Sequence, residues 1–168
     1  MSFKEISLTD LNENVFNLIG NDWMLITAKD SDGVNTMTAS WGGLGVLWNK
    51  NVSYIFIRPE RYTKKFVDNS EYFSLTFFDE KFKDKLLYLG KASGKNEDKI
   101  KESGFELSEI DNIPMFTEAR IVLICKKLYS DEIKESSFVY DETIKTNYPN
   151  NDFHTLYISE ITKILIKE

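Results

Sequence analysis

Apolar and polar residues alternate with a period of two over several short stretches of the chain, a pattern typical of β-strands. Two such stretches, residues 23–28 and 34–40, flank the turn sequence Asp30-Ser-Asp-Gly33, so they are predicted to form a hairpin. Further strands are predicted over residues 52–58, 72–78 and 119–128, and one or two more over residues 156–166. The strands are short and numerous.

Helical spacing of apolar residues predicts a helix over residues 7–19, begun by a capping-box-like pair, Ser7 and Asp10, and ended at Gly20. Shorter helices are predicted over residues 62–68, 82–89 and 97–102, the last stopped by Gly104. Many short strands with few helices indicate a single domain over residues 1–168 of the β-dominated α+β class. We expect a small β-barrel with peripheral helices.

Composition and charge narrow the possible functions. The 168 residues are 42% hydrophobic and 29% charged, enough to build a core without disulfides or a structural metal. A net charge of −6 argues against a general binder of nucleic-acid phosphates, and one cysteine with one histidine makes no four-ligand zinc site. The chain shows neither a signal-peptide pattern nor a membrane-spanning apolar run. We therefore expect a cytoplasmic protein with no nucleic-acid or membrane partner and no bound metal.

Arginine is rare in this chain, and the positions of its arginines are the first indication of a ligand site. Only three of the 21 basic residues are arginines, and two of them lie in the sequence Arg58-Pro-Glu-Arg-Tyr-Thr63, between a predicted strand and a predicted helix. A guanidinium forms paired hydrogen bonds with phosphate or carboxylate, and the start of a helix offers free N–H groups. The pattern indicates an anion site, with salt bridges to surface acids as an equally supported alternative.

Two further segments could contribute to a ligand site. Residues 35–45 are mostly small or hydroxyl-bearing around Trp41, so the backbone could approach a polar ring closely. Taken alone, however, the segment is better explained as a strand that ends in a flexible turn. In residues 90–99, Lys91, Lys95 and Lys99 could reach an anion or simply be solvated. Cys125 lies inside a β-branched run and is predicted to be a buried, unreactive thiol.

Four motifs then occur in order along the chain. They are Asn35-x-Met-Thr-x-Ser-Trp, Arg58-Pro-x-Arg-Tyr-Thr-x-x-Phe, Ser93-Gly-x-x-x-Asp-Lys and Asp152-x-His-x-Leu-Tyr-Ile-x-Glu-Ile. From about Phe16 onward, this ordered set resembles the flavin reductase-like family of FMN-binding split barrels, particularly its flavoredoxin-like branch. The chain departs from the family pattern at Lys95, where arginine is common, at Ile100, where an aromatic is common, and at the extra Phe153.

The resemblance implies a split β-barrel homodimer that holds one FMN per subunit near the interface. It implies that the isoalloxazine ring and ribityl chain are lined by Asn35, Thr36, Met37, Thr38, Ala39, Ser40 and Trp41. It also implies that the phosphate end is formed by Arg58, Arg61, Tyr62 and Thr63. Lys99 would approach the flavin, where a cation stabilises the reduced form, and His154 would lie close to the reacting face as a catalytic residue.

The function implied by the resemblance is an FMN-dependent oxidoreductase. A hydride or electrons from NADH, NADPH or a redox-protein partner would pass through FMN to an acceptor such as free flavin or iron. Two alternatives stay open from the sequence. One is a flavoredoxin-like electron carrier without independent NAD(P)H turnover, and the other is a barrel module whose basic loop binds an anion unrelated to flavin.

Overall fold

In the computed structural model, which describes residues 2–168, an eight-stranded antiparallel sheet organises the chain. The strands are β1 (Phe3–Ile6), β2 (Met24–Asp30), β3 (Gly33–Ala39), β4 (Gly42–Leu47), β5 (Lys50–Ile57), β6 (Tyr72–Phe77), β7 (Leu107–Ile110), β8 (Ile113–Phe116), β9 (Ile121–Glu132) and β10 (Thr155–Lys167). The order in the large sheet is β3-β2-β6-β9-β10-β5-β4, with β1 also paired to β10. β7 and β8 form a separate hairpin. β3 and β4 are thus the two edges, and residues 40–41 connect them directly.

Short helices fill the connections between the strands. They are α1 (Val15–Asn17), α2 (Thr63–Asn69), α3 (Lys83–Lys91), α4 (Lys99–Ser103) and α5 (Asp141–Asn147). A π-helical turn, Leu18–Asp22, continues α1, and 3₁₀ turns lie at Leu8–Asp10, Glu80–Phe82 and Glu135–Ser137. None of the helices described in residues 2–168 is long and apolar enough to cross a membrane.

The sheet buries a different hydrophobic cluster on each face. One cluster lies among strands from both halves of the sheet and includes Ile26, Ile55 and Leu123, with Phe66 added from α2. The other lies under α3, α4 and the β7–β8 hairpin, where rings including Phe78 pack together. Burying each large apolar side chain stabilises the fold by about 1.5–3 kcal/mol. Strand β6 alternates because its apolar residues 73, 75 and 77 face the first cluster, whereas the small polar residues Ser74 and Thr76 are buried on its other face.

The predicted strands match the structure, and the 23–28 and 34–40 hairpin is confirmed as β2 and β3, joined at Asp30 and Gly33. The C-terminal segment forms one long strand, β10, whose register with β9 shifts after Ile158 and after Ile161. Cys125 is fully buried as predicted, and burial raises the pKa of its thiol to about 12. Such a thiol is unreactive at neutral pH.

The helix predicted over residues 7–19 is wrong. The Ser7 hydroxyl lies 2.9 Å from the Thr9 hydroxyl and makes no capping bond to the backbone. Asn14 begins α1 instead, since its side-chain oxygen accepts a hydrogen bond from the Asn17 N–H at 3.1 Å. Short polar side chains compete in this way with helical backbone bonds. The apolar residues Leu8, Leu11 and Val15 still pack on the first cluster, which explains their spacing.

Strand β4 was not predicted, because glycine disfavours strands. Here three glycines of β4 lie against Tyr54 on β5. A Cβ at Gly43 or Gly45 would meet the Tyr54 ring at 3.6 or 3.5 Å, an ordinary contact, so the ring covers these positions. At Gly42 a Cβ would lie 2.6 Å from the Tyr54 carbonyl oxygen, so the backbones approach too closely for a side chain. An aromatic ring laid over strand glycines replaces the packing that the glycines lack.

Candidate functional site

Three cavities, linked by shared lining residues, lie where β3 and β5 end, β10 begins and the chain leaves α3. The first has a volume of about 230 Å³ and is lined by β3, Trp41, Phe56 and His154. The second, of about 130 Å³, shares Arg61 with the first. The third, of about 340 Å³, shares Lys99 with the second. Segments that are far apart in the sequence therefore contribute to one continuous region.

Every predicted site residue except Thr36 lines one of these cavities. The first cavity is lined by Met37, Thr38, Ala39, Ser40, Trp41, Arg58, Arg61 and His154. The second is lined by Arg61, Tyr62, Thr63 and Lys99, and the third by Asn35 and Lys99. Thr36 is fully buried, and its hydroxyl bonds to Thr27 at 2.8 Å and to the Ile26 carbonyl at 3.1 Å.

The first cavity is built from aromatic and hydroxyl-bearing side chains. The Trp41 ring is 47% exposed and lies 5.3 Å from the His154 ring, which also meets Phe56 edge-on at 6.4 Å. Thr38 contributes to the wall, but its hydroxyl donates to the Leu86 carbonyl of α3 at 2.5 Å. A flat ring could therefore contact aromatic faces here, while α3 fixes the β3 side of the cavity.

His154 is buried and neutral at physiological pH. Its Nδ1 lies 2.9 Å from the Tyr148 hydroxyl, in a hydrogen bond whose direction depends on the imidazole tautomer. Burial and the nearby Arg58 cation lower the pKa of His154 from 6.5 to about 4. Burial also raises the pKa of Tyr148. Near pH 7, His154 held by Tyr148 can form a hydrogen bond with a ligand, but the imidazole adds no positive charge to the cavity.

The low pKa of His154 predicts that acid weakens the fold. The unfolded chain takes up a proton near pH 6.5 and the folded chain only near pH 4, so the free energy of unfolding falls as pH drops through this window. We expect a loss on the order of 1–3 kcal/mol from this group. Urea unfolding at about pH 7 and about pH 4.5 measures it. A His154→Gln variant should lose less stability over the same interval, and an equal loss in both proteins would contradict the assignment.

Arg58 contributes its cation to the first cavity, but the charge is already paired. Its Nη1 bonds to the Asp152 carboxylate, and its Nη2 donates to the Asn147 carbonyl at 2.9 Å. The guanidinium also lies 5.2 Å from the centre of the Tyr148 ring and 6.0 Å from that of Trp41. Arg58 therefore faces the residues that precede β10, whereas Tyr62 and Thr63 line the second cavity.

The second cavity holds a buried cation, Lys99, and a half-buried one, Arg61, and neither has a salt-bridge partner among residues 2–168. Arg61 donates to the Gly90 carbonyl at 2.8 Å, and Lys99 donates to the Leu89 and Ala92 carbonyls at 3.0 and 2.9 Å. These carbonyls lie at the C-terminal end of α3, where cations are favoured. Burial and repulsion from Arg61 lower the pKa of Lys99 to about 8, and burial lowers that of Arg61. The cavity lining carries three cationic side chains and the single carboxylate of Glu60, so its net charge is positive.

Close packing connects the second cavity to the third. The Asn35 side-chain amide donates to the Thr63 hydroxyl at 2.9 Å, which joins β3 to the start of α2. A Cβ at Gly94 would lie only 2.2 Å from the Asn35 Oδ1. The loop between α3 and α4 can lie this close to Asn35 only because residue 94 is glycine.

Several lining residues were not among the predicted site residues. Ser93 and Lys91 line the second cavity and belong to the lysine-containing loop that the sequence had already singled out. Phe56 lines the first cavity from β5, and only its position in the strand two residues before Arg58 could have indicated this. Asp152 begins the fourth motif, but its partner Arg58 is 94 residues away, so the sequence did not reveal their contact. Tyr148 lies outside the four motifs, although it bonds to His154 only six residues further on.

The antiparallel sheet and its edge strands define the class of protein, a β-dominated split barrel, and the linked aromatic and cationic cavities are its candidate ligand site. The chain belongs to the family described as flavin reductase like domain, whose model matches residues 16–168. The resemblance drawn from the motifs is thus confirmed, and so is the predicted fold class.

Solved structures with the same fold have little sequence identity to this chain. An FMN-binding domain of a flavin reductases-like enzyme from Shewanella baltica matches with a TM-score of 0.70 at 17% identity, covering 98% of this chain and 77% of that one. A flavoredoxin from Methanosarcina acetivorans matches with a TM-score of 0.67 at 20% identity, covering 88% and 69%. An uncharacterised protein of Aeropyrum pernix is 31% identical over 99 residues, 57% of this chain; the match spans only 37% of that protein's length.

Proposed function

We propose that this chain binds FMN in the three linked cavities and acts as an oxidoreductase of the flavin reductase type. The observation that carries the proposal is a pair of cations, the half-buried Arg61 and the buried Lys99, held by carbonyls at the end of a helix beside an aromatic cavity. A terminal phosphate supplies the dianion that such a pair lacks, and a flat ring suits Trp41. The FMN-binding structure from Shewanella baltica has the same fold.

The residues present fit FMN in both chemistry and order. Arg61, Lys99 and the hydroxyls of Thr63 and Ser93 would hold the phosphate in the second cavity. Ser40, with the backbone of β3, would face the ribityl chain, and the ring would lie by Trp41 and His154 in the first. Lys99 does not line the first cavity, so we assign it to the phosphate rather than to the ring.

When bound, FMN supplies the redox chemistry, accepting a hydride or single electrons. The protein binds it, orients it and controls what reaches it. His154, neutral and bonded to Tyr148, offers a hydrogen bond at the ring without taking up a proton near pH 7. We propose NADH or NADPH as the donor and free flavin or iron as the acceptor.

A flavoredoxin-like electron carrier is the second candidate. The flavin ring is placed in the first cavity, whose volume is only about 230 Å³, so little room is left there for a nicotinamide beside it. The similarity to the Methanosarcina acetivorans flavoredoxin also favours this function. A redox protein would then exchange electrons with FMN near the half-exposed Trp41.

One anaerobic titration separates the two functions. Protein loaded with FMN is mixed with NADH or NADPH, and the visible flavin bands are followed. Bleaching at catalytic rates supports the reductase. Bleaching by dithionite but by neither nicotinamide supports the carrier. A purified protein that takes up no FMN from solution would reject both.

We further propose a homodimer, most simply a two-fold one, in a cytoplasmic setting. Phe16 is 89% exposed and Val46 is 71% exposed, and they lie on α1 and β4, which contact each other. Beside them is a groove lined largely by apolar residues, including Leu11 and Leu44. Because β4 begins directly after Trp41, a second copy covering this face would approach the first cavity.

The dimer predicts a specific change on sedimentation. Val46→Glu would place a charge in the buried interface, so we expect the dimer to dissociate at micromolar concentrations. Val139→Glu is the matched control, because Val139 is 86% exposed but lies in the connection before α5. Sedimentation across a dilution series measures both variants. A wild-type protein that is monomeric throughout would refute the proposal.

A further inference from the structure

The connection between β9 and β10, residues 133–154, ends at His154, which lines the first cavity. It contains the 3₁₀ turn Glu135–Ser137, α5 and the loop that leads to His154. Phe138, Tyr148 and Phe153 pack on one another with ring centres 4.7–6.0 Å apart. The connection thus has a small aromatic cluster of its own.

Arg58 ties this connection to the end of β5. The guanidinium bonds to the Asp152 carboxylate, to the Asp152 carbonyl at 3.4 Å and to the Asn147 carbonyl at 2.9 Å. It is the only side-chain partner of that carboxylate among residues 2–168, and the second carboxylate oxygen is buried without any hydrogen bond. The Tyr148 ring lies against the same guanidinium, 5.2 Å away. A single side chain therefore joins the strand to three residues of the connection.

The connection in turn sets the environment of His154. The Tyr148 hydroxyl has no other hydrogen-bond partner among the described residues, and it meets His154 Nδ1 at 2.9 Å. If the phenol donates to Nδ1, the imidazole proton lies on Nε2. The Ile133 N–H also donates to the His154 carbonyl at 2.9 Å, which joins the two ends of the connection. The orientation of the imidazole thus depends on where Tyr148 lies.

We propose that Arg58 is a positioning residue that clamps residues 147–152 onto the end of β5 and thereby fixes Tyr148 and His154 beside the first cavity, and that it does not bind the flavin phosphate. To bind a phosphate, Arg58 would have to give up the Asp152 carboxylate and leave it buried without a partner. Arg61 has no such competitor. The flavin-affinity test below rests on the proposed function, whereas the hydrogen-exchange and histidine NMR tests need no flavin.

Hydrogen exchange tests the clamp on the protein alone. We expect backbone amides of residues 138–153 to exchange at least about tenfold faster in Arg58→Ala and in Asp152→Asn than in the wild type. In Arg58→Lys the exchange rates should lie between those of the wild type and those of Arg58→Ala, because lysine keeps the charge but not the planar set of donors. Lys145→Ala is the matched control, since Lys145 lies on α5 but pairs only with the exposed Glu142. Unchanged exchange in both clamp variants would overturn the proposal.

His154 provides a second readout because it is the only histidine in the chain. Histidine ¹⁵N NMR should show the Nε2–H tautomer in the wild type. In Arg58→Ala the pKa of His154 should rise from about 4 toward 6.5, because a cation is lost and the ring becomes solvated. The charged and titratable groups at His154 are Arg58, Asp152 and Tyr148, with Arg61 in the same cavity. A wild-type tautomer and pKa in this variant would contradict positioning by Arg58.

Flavin affinity distinguishes a clamp from a phosphate ligand. We expect Arg58→Ala to weaken FMN and riboflavin by the same factor, within about threefold. A loss at least tenfold greater for FMN, with normal exchange in residues 138–153, would make Arg58 a phosphate ligand and overturn the proposal. If the wild-type protein binds neither flavin, the proposed function fails, while exchange and NMR still decide whether Arg58 is a clamp. Should Arg58→Ala fail to fold, Arg58→Lys and Asp152→Asn give the same comparisons.

Discussion

Replacing both Arg61 and Lys99 with neutral residues, as Arg61→Gln and Lys99→Met, is expected to weaken FMN binding by a factor of about 10²–10⁴. Each charge-assisted hydrogen bond to a phosphate contributes about 1.5–3 kcal/mol. Lys99 is buried and Arg61 half-buried, and neither forms a salt bridge among residues 2–168. Riboflavin, which lacks the phosphate, should lose less than about tenfold. Quenching of flavin fluorescence on titration with protein measures both dissociation constants.

Two variants control this experiment. Lys95→Ala removes an exposed lysine from the loop between α3 and α4. The Lys95 side chain lines none of the three cavities, so this variant should bind both flavins normally. Arg61→Lys retains a cation and should keep part of the preference for FMN. Because Arg61 and Lys99 also hold the end of α3, a purely structural role would weaken both flavins equally. An equal loss of affinity for FMN and riboflavin would show that the phosphate does not bind at Arg61 and Lys99.

Gly42→Ala is expected to lower the free energy of unfolding by about 2–4 kcal/mol, a large effect for adding one methyl group. The new Cβ would lie 2.6 Å from the Tyr54 carbonyl oxygen and 3.2 Å from the Met24 Cε. The methionine can move, but the carbonyl belongs to the backbone of β5. β4 must therefore shift, and with it Trp41, so flavin binding should weaken as well. Urea denaturation gives the change in stability.

The same strand supplies the matched control. At Gly45 a Cβ would meet the Tyr54 ring at 3.5 Å, an ordinary contact. We expect Gly45→Ala to change stability by less than about 1 kcal/mol. If both variants lose the same stability, the cause is the general cost of changing a glycine in β4, and the close approach at Gly42 is not the reason.

The local parts of the fold could be predicted from the sequence. Alternation identified β2, β3, β5 and β6, because each buries at least one face. β1 has only four residues, and it forms by pairing with β10 at the other end of the chain, which no local pattern records. The hairpin of β7 and β8 was likewise missed, since strands of four residues are too short to show a clear alternation. Helix α5 was missed because Ile144 is its only apolar residue and none of its side chains is buried.

The candidate site likewise has a part that local sequence predicts and a part that depends on distant contacts. Arg61, Tyr62 and Thr63 stay together because they are neighbours in sequence, so their motif predicted their common cavity. Thr36 could not be separated from Thr38 by sequence, because they share a face of β3 on which only Thr38 reaches the cavity. Arg58 lies three residues before Arg61, yet its partner Asp152 is 94 residues away. The motif alone therefore placed both arginines at one end of the ligand.

The carbonyl groups at the end of α3 have a consequence for how the apo-protein must be handled. They hold Arg61 and Lys99 without neutralising them, so no salt bridge within residues 2–168 has to break at these two cations before a dianion binds. Competition comes instead from the medium, because inorganic phosphate and sulfate present the same oxygen-rich charge as the end of FMN. The concentration of free flavin needed to fill the site is then set partly by the buffer, and loading should be easiest where the dissolved anions are monovalent and weakly coordinating.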